Sequence, residues 1–320
     1  MAHLSIARLF EDNHDKLKLA WIAGREGGAR TLSSEELKDP TKGLIGHLNF
    51  IHPNWIQVLG TTEVEYLRRL DAEVCRATLA ELAGRGLACF MLAGTNEVAP
   101  ALASIAEDTK TAVFASPLSS VELMWMLRPY LARALADATT VHGVFLDVLG
   151  VGVLITGASG VGKSELALEL VSRGSGLIAD DVVEFYRIGP ETLEGRCPQL
   201  LRDFLEVRGL GVLNIRTIFG EAALRPRKNL KLVVHLERPG RDLVPLERLP
   251  LRPGVEDMMG VSVVKVTIPV AAGRNLAVLT EAAVRNHVLQ VRGIDSTAEF
   301  IARQAQHMHA EATRDKSGDA

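Results

Sequence analysis

The octapeptide Gly157-Ala158-Ser159-Gly160-Val161-Gly162-Lys163-Ser164 constrains this chain more than any other stretch. It follows the apolar run VGVLIT (151–156) and precedes the helical stretch ELALEL. A GxxxxGK[ST] pattern between a strand and a helix is a phosphate-binding loop. Its glycines let backbone N–H groups turn inward around phosphate oxygens, and the helix N-terminus adds the positive end of its dipole. Lys163 is predicted to reach the β- and γ-phosphates of the nucleotide and Ser164 to ligate Mg²⁺, so all eight residues are candidate nucleotide-binding residues. The motif specifies a bound nucleotide and leaves the phosphate acceptor open.

The rest of the chain supplies an α/β frame for this loop. At 320 residues it has room for two domains. In the first third, WIAG (21–24), WIQVLG (55–60) and LACFMLAG (87–94) read as strands ending at glycine. TEVEYLRRL (62–70) and DAEVCRATLAELAGRG (71–86) have apolar residues three and four apart and read as helix. Strands alternating with helices predict a small α/β domain. Ser119 and Glu122 form a capping box, so a helix is expected from about Ser120, and Pro129 is expected to kink or break it. That helix is the expected link between an N-terminal domain over 1–131 and a P-loop catalytic domain with a mixed central sheet over 132–305. In the second part, TTVHGVFLDVLG (139–150), GLIADDVVEFYRIG (176–189), NLKLVVHLE (229–237) and VSVVKVTIPV (261–270) are further β-rich runs. NLAVLTEAAVRNHVLQVRG (275–293) is helical in period, and a polar tail over 306–320 is expected to fray.

Composition removes several classes of function. A net charge of −3 with 23% charged residues argues against nucleic acid held by bulk electrostatics. No run of eighteen apolar residues occurs, so no membrane span is expected. The N-terminal stretch is too charged for a signal peptide. Cys75, Cys89 and Cys197 are odd in number and lack CxxC spacing, which reads as a reduced, cytoplasmic chain without a zinc site.

Five further places bear on chemistry. Asp180 and Asp181 close the run LIAD, where a carboxylate beside a phosphate loop holds the metal or serves as base. They follow the loop by one helix and one strand, so the two strands are expected to be neighbours. Successive residues of an extended chain point to opposite sides, so one of the pair is expected to face the phosphates. His142, on the preceding strand, is either a catalyst or a hydrogen-bonded structural residue. In FLEVRGLGVLNI (204–215), Glu206 is either a second Mg²⁺ ligand or a solvent-facing strand residue. Arg248 and Arg274, in turn-rich stretches, either stabilise transferring phosphate or are solvated.

These pieces, in this order, resemble the bacterial HPr kinase/phosphorylase family, whose members phosphorylate and dephosphorylate a serine of the phosphocarrier protein HPr. HPNWIQVLGTTEVEYL (52–67) looks like the family's N-terminal domain, VHGVFLDVLG with the phosphate loop and LIADD its core, and VTIPVAAGRNLAVLTEAA (266–283) its C-terminal loop and helix. FLEVRGLG is the most specific part of the match. The resemblance implies Asp181 as proton acceptor in phosphorylation and proton donor in the reverse reaction. It implies His142, Lys163 and Arg248 as catalytic, and Ser164 and Glu206 on the metal. The loop Pro269-Val270-Ala271-Ala272-Gly273-Arg274 would serve dephosphorylation, in which inorganic phosphate is consumed and pyrophosphate formed. It further implies a homohexamer.

Two positions depart from the family pattern. Many relatives carry an acidic residue where this chain has Ala158, and a basic residue and a proline at Ala271 and Ala272. The missing charge is expected to weaken phosphorolysis more than kinase activity. The alternative is a P-loop kinase of a small molecule, which would leave FLEVRGLG unexplained. A GTPase or transporter ATPase is disfavoured because NKxD and LSGGQ are missing from the sequence. A third reading makes the N-terminal domain the working part, with the nucleotide site only regulating it.

Overall fold

The computed structural model describes residues 3–35, 42–95, 99–238 and 254–317, with side chains through residue 307. The chain divides into two compact units, residues 1–138 and 139–320.

The first unit begins with β1 (His3–Ser5), α1 (Ile6–Leu17), β2 (Ala20–Ala23) and β3 (Thr31–Ser33). Strands β1 and β3 pair as a separate antiparallel ribbon. A second sheet has β4 (Ile45–His47), β5 (Ile56–Leu59), β6 (Cys89–Ala93) and β7 (Ala112–Ser116) in parallel, with β2 antiparallel at the edge beside β7. Every residue of β5, β6 and β7 is buried, so these strands read as continuous apolar runs rather than alternating ones. Helices α2 (Thr61–Arg69), α3 (Ala72–Gly84) and α4 (Pro100–Asp108) fall between them in the chain.

Helix α5 (Ser120–Ala134) starts where the capping box predicts. Ser119 accepts the Glu122 N–H, and the Glu122 carboxylate accepts the Ser119 N–H. Of the kink or break expected at Pro129 the break does not occur, since the helix continues to Ala134. Proline forfeits one backbone bond and crowds the preceding turn. Leu123, Leu127 and Leu131, spaced by four and fully buried, carry the helix through, each burial contributing about 1.5–3 kcal/mol.

The second unit is built on a mixed sheet. Its first part runs β8 (Asp137–His142), β9 (Val144–Val148), β10 (Val151–Gly157), α6 (Lys163–Ser172), β11 (Gly176–Ala179), β12 (Val182–Gly189) and β13 (Thr192–Arg196). A hairpin, β14 (Phe204–Val207) and β15 (Gly211–Asn214), and the short α7 (Ile215–Phe219) follow. The chain then enters β16 (Arg227–Glu237), β17 (Gly254–Met258), β18 (Val261–Pro269), α8 (Leu276–Val291) and α9 (Ser296–Ser317). The strand order is β11-β9-β10-β16-β13-β12-β8, with β18 on β16 and β17 on β18. Helix α9 extends to Ser317, so residues 306–317 of the polar tail are helical. Among the described residues no helix is long and apolar enough to cross a membrane.

Strand direction explains where the loops gather. Strands β10, β16 and β18 are parallel, with Gly157 opposite Leu236 and Glu237 opposite Pro269. Strand β11 is antiparallel to β9, which is antiparallel to β10, so β11 runs with β10. The segments after Gly157, Ala179, Glu237 and Pro269 therefore leave the same edge of the sheet, the carboxyl edge at which α/β sheets place ligands. One expectation fails here: β10 and the LIAD strand are not neighbours, because β9 lies between them. The stretch 139–150 forms β8 and β9, and β9, which turns straight back into β10, supplies the intervening strand.

Candidate active site

The phosphate loop is shaped by backbone that side chains resist. Gly157 has φ 141°, and a Cβ there would lie 2.5 Å from the Leu236 carbonyl oxygen of β16. Gly162, with φ 106°, turns the loop into α6. Val161 is buried and anchors the loop, while Ala158, Ser159 and Gly160 are exposed. Lys163 Nζ donates to the carbonyls of Gly157 and Ala158 at 3.0 and 3.1 Å, which holds the ammonium against the loop. Behind it, Thr156 Oγ1 and His235 Nδ1 lie 2.9 Å apart and join β10 to β16. The Arg238 side chain donates to the carbonyl of Gly160.

The acidic pair divides, although it sits in the bend between β11 and β12 and not, as expected, in extended strand. Asp180 is buried, and its two oxygens are both engaged. Oδ1 accepts from the Ser164 hydroxyl at 3.2 Å and Oδ2 from the Glu206 N–H at 2.8 Å. Burial pushes the Asp180 carboxyl above its ordinary value, and the hydrogen bonds from Glu206 and Ser164 pull it partly back. Asp181 adopts φ 63° and is exposed. Its carbonyl accepts the Gly143 N–H at 3.0 Å, which brings the end of β8 alongside. His142 Nδ1 thus lies 3.7 Å from Asp181 Oδ1. A solvent-facing carboxylate beside an imidazole can take and return a proton, whereas the sequestered Asp180 is already committed to the loop serine.

Glu206 reaches this cluster through its backbone, and its side chain is exposed. The hairpin turn after it places Arg208 over the phosphate loop, where a Cβ on Gly160 would meet Arg208 Nη1 at 3.2 Å. The loop Pro269–Arg274 starts at the same sheet edge, with the Val270 N–H donating to the Glu237 carbonyl at 2.8 Å. Ala271 and Ala272 are exposed. Gly273 and Arg274 share a cleft with Gly162, Glu165 and Leu166 of the phosphate-loop region. Arg248 lies outside the described residues. Among the described residues no cluster of three or more His, Cys, Asp or Glu side chains is placed to hold a metal.

Sequence reasoning gave Asp180 no separate role, although its position as the first acid after a buried strand was the available signal. Arg238 offered none beyond ending an apolar run, and Arg208 was legible only as an alternating charge.

A glycine loop bounded by a strand and a helix, with a buried and an exposed carboxylate at the same sheet edge, defines a phosphate-binding α/β protein. The chain belongs to the HPr serine kinase family. Residues 4–131 match the family model described as the HPr Serine kinase N terminus, and residues 133–304 the one described as the HPr Serine kinase C-terminal domain. The HPr kinase/phosphorylase of Nitrosomonas europaea is 57% identical over 309 residues, covering 96% of each chain. That of Chromobacterium violaceum is 53% identical, covering 96% of this chain and 97% of its own. The solved Hpr(Ser) kinase/phosphatase from Coxiella burnetii is 36% identical, covering 51% of this chain and 98% of its own, with a TM-score of 0.46.

Proposed function

We infer that this protein is a bifunctional HPr kinase/phosphorylase, using ATP to phosphorylate a serine of HPr and removing that phosphate again. The carrying observation is the arrangement at one sheet edge. Ser164 of the phosphate loop is bonded to Asp180, and the next residue, Asp181, stands exposed beside His142. Relatives of the same name at 51–57% identity support the reading.

Phosphoryl transfer depends mainly on positioning and charge stabilisation. The N–H groups of Gly157–Ser164 and the Lys163 ammonium cradle the β- and γ-phosphates. The serine oxygen bonds to the γ-phosphorus as the bond to ADP breaks, and Asp181 takes the hydroxyl proton. In the reverse direction inorganic phosphate bonds to the phosphoserine phosphorus, the bond to the serine oxygen breaks, and Asp181 returns the proton to that oxygen. The product is pyrophosphate. The loop Pro269–Arg274 serves this second direction, and Arg248 completes the catalytic set.

Ser164 Oγ and the Asp180 carboxylate are hard oxygen donors of the type Mg²⁺ takes, so the residues present fit that ion. On the family reading Glu206 is a further donor, and its backbone N–H is bonded to Asp180. The ion would neutralise charge on the phosphates. On this reading residues 132–305 are a P-loop kinase domain, six copies assemble through it, and the enzyme works in the cytoplasm.

The test is transfer of labelled γ-phosphate from Mg·ATP to purified HPr, followed by a chase with inorganic phosphate. Serine-labelled HPr that loses its label as pyrophosphate forms is the expected outcome. ATP binding without labelling of HPr would refute the reading and favour a small-molecule kinase.

A further inference from the structure

The first unit carries a cavity of about 180 Å³ that the phosphate chemistry of the second does not use. It lies between the parallel strands β5 and β6 and the helices α2, α3 and α4. Leu59 and Leu92 form its floor, and register places them opposite each other across the two strands. Leu59 closes β5 and Leu92 is the last residue but one of β6, so the cavity sits at the carboxyl ends of both. That is the edge at which open α/β sheets place ligands.

The walls are apolar. Leu67, Cys75, Leu79 and Leu102, drawn from all three helices, are buried. Packed interiors leave few spaces larger than a water molecule, and a space bounded by apolar side chains gives water no partners. An apolar cavity of about 150 Å³ accepts benzene, so this one has room for an apolar body of about six carbons.

Charge enters at the rim. Among the described residues that line the cavity, Arg68 of α2 is the one that carries charge, and no ion pair or hydrogen bond among the described residues engages its guanidinium. Ala99 to Leu102 line the same cavity, and the N-cap Ala99 has no side chain to accept the N–H groups that open α4. A helix start favours negative charge, and a guanidinium forks onto a carboxylate. One cation beside one helix start suits a single negative charge, whereas a dianionic phosphate would leave charge unmatched.

We propose that this cavity binds a small monocarboxylate with an apolar body of about six carbons, its tail over Leu59, Leu79 and Leu92 and its carboxylate on Arg68. The site lies within the first unit and stands independently of the phosphotransfer reading. Burial of the tail supplies the affinity and the guanidinium selects the head group, so shortening the tail and removing the charge weaken binding separately.

The experiment is calorimetric titration and thermal unfolding of the full-length protein with sodium hexanoate, beside acetate, hexan-1-ol and hexylammonium chloride. Saturable binding of hexanoate that raises Tm is expected, with acetate silent. Hexan-1-ol should bind about tenfold more weakly, the worth of one charge-assisted hydrogen bond, and hexylammonium no better than hexan-1-ol. Arg68 is exposed, so Arg68→Met spares the core and should reduce hexanoate to the level of hexan-1-ol. Cys75→Leu puts a larger side chain into the cavity, and Ala101→Phe, at a half-buried position in the first turn of α4, obstructs it from another side. Each should abolish binding of both six-carbon compounds. Hexanoate that does not bind wild type saturably would overturn the site, as would binding that survives both obstructing variants. Equal affinity for hexan-1-ol and hexanoate, or wild-type affinity for hexanoate in Arg68→Met, would overturn the carboxylate assignment.

Discussion

The Ser164 hydroxyl donates to Asp180 Oδ1 at 3.2 Å, while the other oxygen of that carboxylate takes the Glu206 N–H. One buried acid thus fastens the first turn of α6 to hairpin β14–β15, across the strand that separates β10 from β11. The same carboxylate supplies oxygen donors of the kind Mg²⁺ requires.

Asp180→Asn is expected to stabilise the fold while abolishing phosphotransfer. Burial holds this carboxyl above the ordinary aspartate value of 3.8. The unfolded chain titrates near that lower value, so ionising the group costs the folded state. The stability its neutral form contributes is present below 3.8 and lost as pH rises through the raised value. Asparagine is neutral throughout. Thermal unfolding in metal-free buffer should show a higher Tm than wild type at pH 7, with the gain fading as pH falls toward 3.8. Added Mg²⁺ should raise the Tm of wild type and not of the variant. A Tm lower than wild type at pH 7 would contradict this account.

Asp181 presents the opposite case, a carboxylate whose proposed role is chemical and whose backbone is demanding. At φ 63° asparagine is among the few residues that fit comfortably, whereas a β-branched side chain is strained by about 1–2 kcal/mol. Asp181→Asn should therefore unfold within about 0.5 kcal/mol of wild type yet lose a factor on the order of 10²–10⁴ in kcat for HPr phosphorylation. Asp181→Val should lose both activity and stability. Chemical denaturation beside the transfer assay separates the two. An asparagine variant with kcat near wild type would remove Asp181 from the proton-transfer role.

Much of this site was legible in the sequence because its signals are local. The glycines of 157–164 name a backbone shape, and DD at the end of an apolar run names a strand end. Ser119 and Glu122 name a helix start. What sequence could not give was the order of strands. Inserting β9 between β10 and β11 depends on the β9–β10 hairpin and on β11 returning after α6 to pair with β9, and pairing choices of that kind are set by tertiary burial. The break allowed for at Pro129 does not occur for the same reason, since a local breaker was outweighed by three leucines packed in the core. The division of labour between Asp180 and Asp181 was half legible. Alternation said that they differ, but the division arises in a bend with Asp181 at φ 63°, and only the Ser164 and Glu206 contacts said which one is sequestered.

Gly157→Ala should disable the loop more than its one methyl suggests. The added Cβ meets the Leu236 carbonyl at 2.5 Å, on a φ of 141° that alanine does not adopt readily. Neither β10 nor β16 can retreat without breaking the register between them. The expected result is a Tm several degrees lower, from a cost of about 2 kcal/mol or more, and loss of ATP binding. Ala158→Ser, one residue on and exposed, should keep both. Equal behaviour of the two variants in thermal unfolding and nucleotide titration would show that the loop is not held in this conformation.

Ala271→Arg is expected to strengthen phosphorolysis selectively. The loop Pro269–Arg274 begins at the sheet edge that carries the phosphate loop, fixed there by the Val270 N–H on the Glu237 carbonyl. Its tip is exposed, so a long side chain at 271 displaces nothing from the core. Phosphorolysis brings a second phosphate, free in solution, against one already bound to serine, and repulsion between them rises as they approach. A guanidinium at the tip would offset that repulsion with a charge-assisted hydrogen bond worth about 1.5 kcal/mol, or roughly tenfold in rate. The forward reaction brings a neutral hydroxyl to the γ-phosphate and has no such repulsion to relieve. Initial rates of pyrophosphate release from phospho-HPr should therefore rise about tenfold, with kinase kcat within about twofold of wild type. Equal gains in both directions would mean that the added charge acts on the shared phosphate site, and no gain would separate this loop from the incoming phosphate.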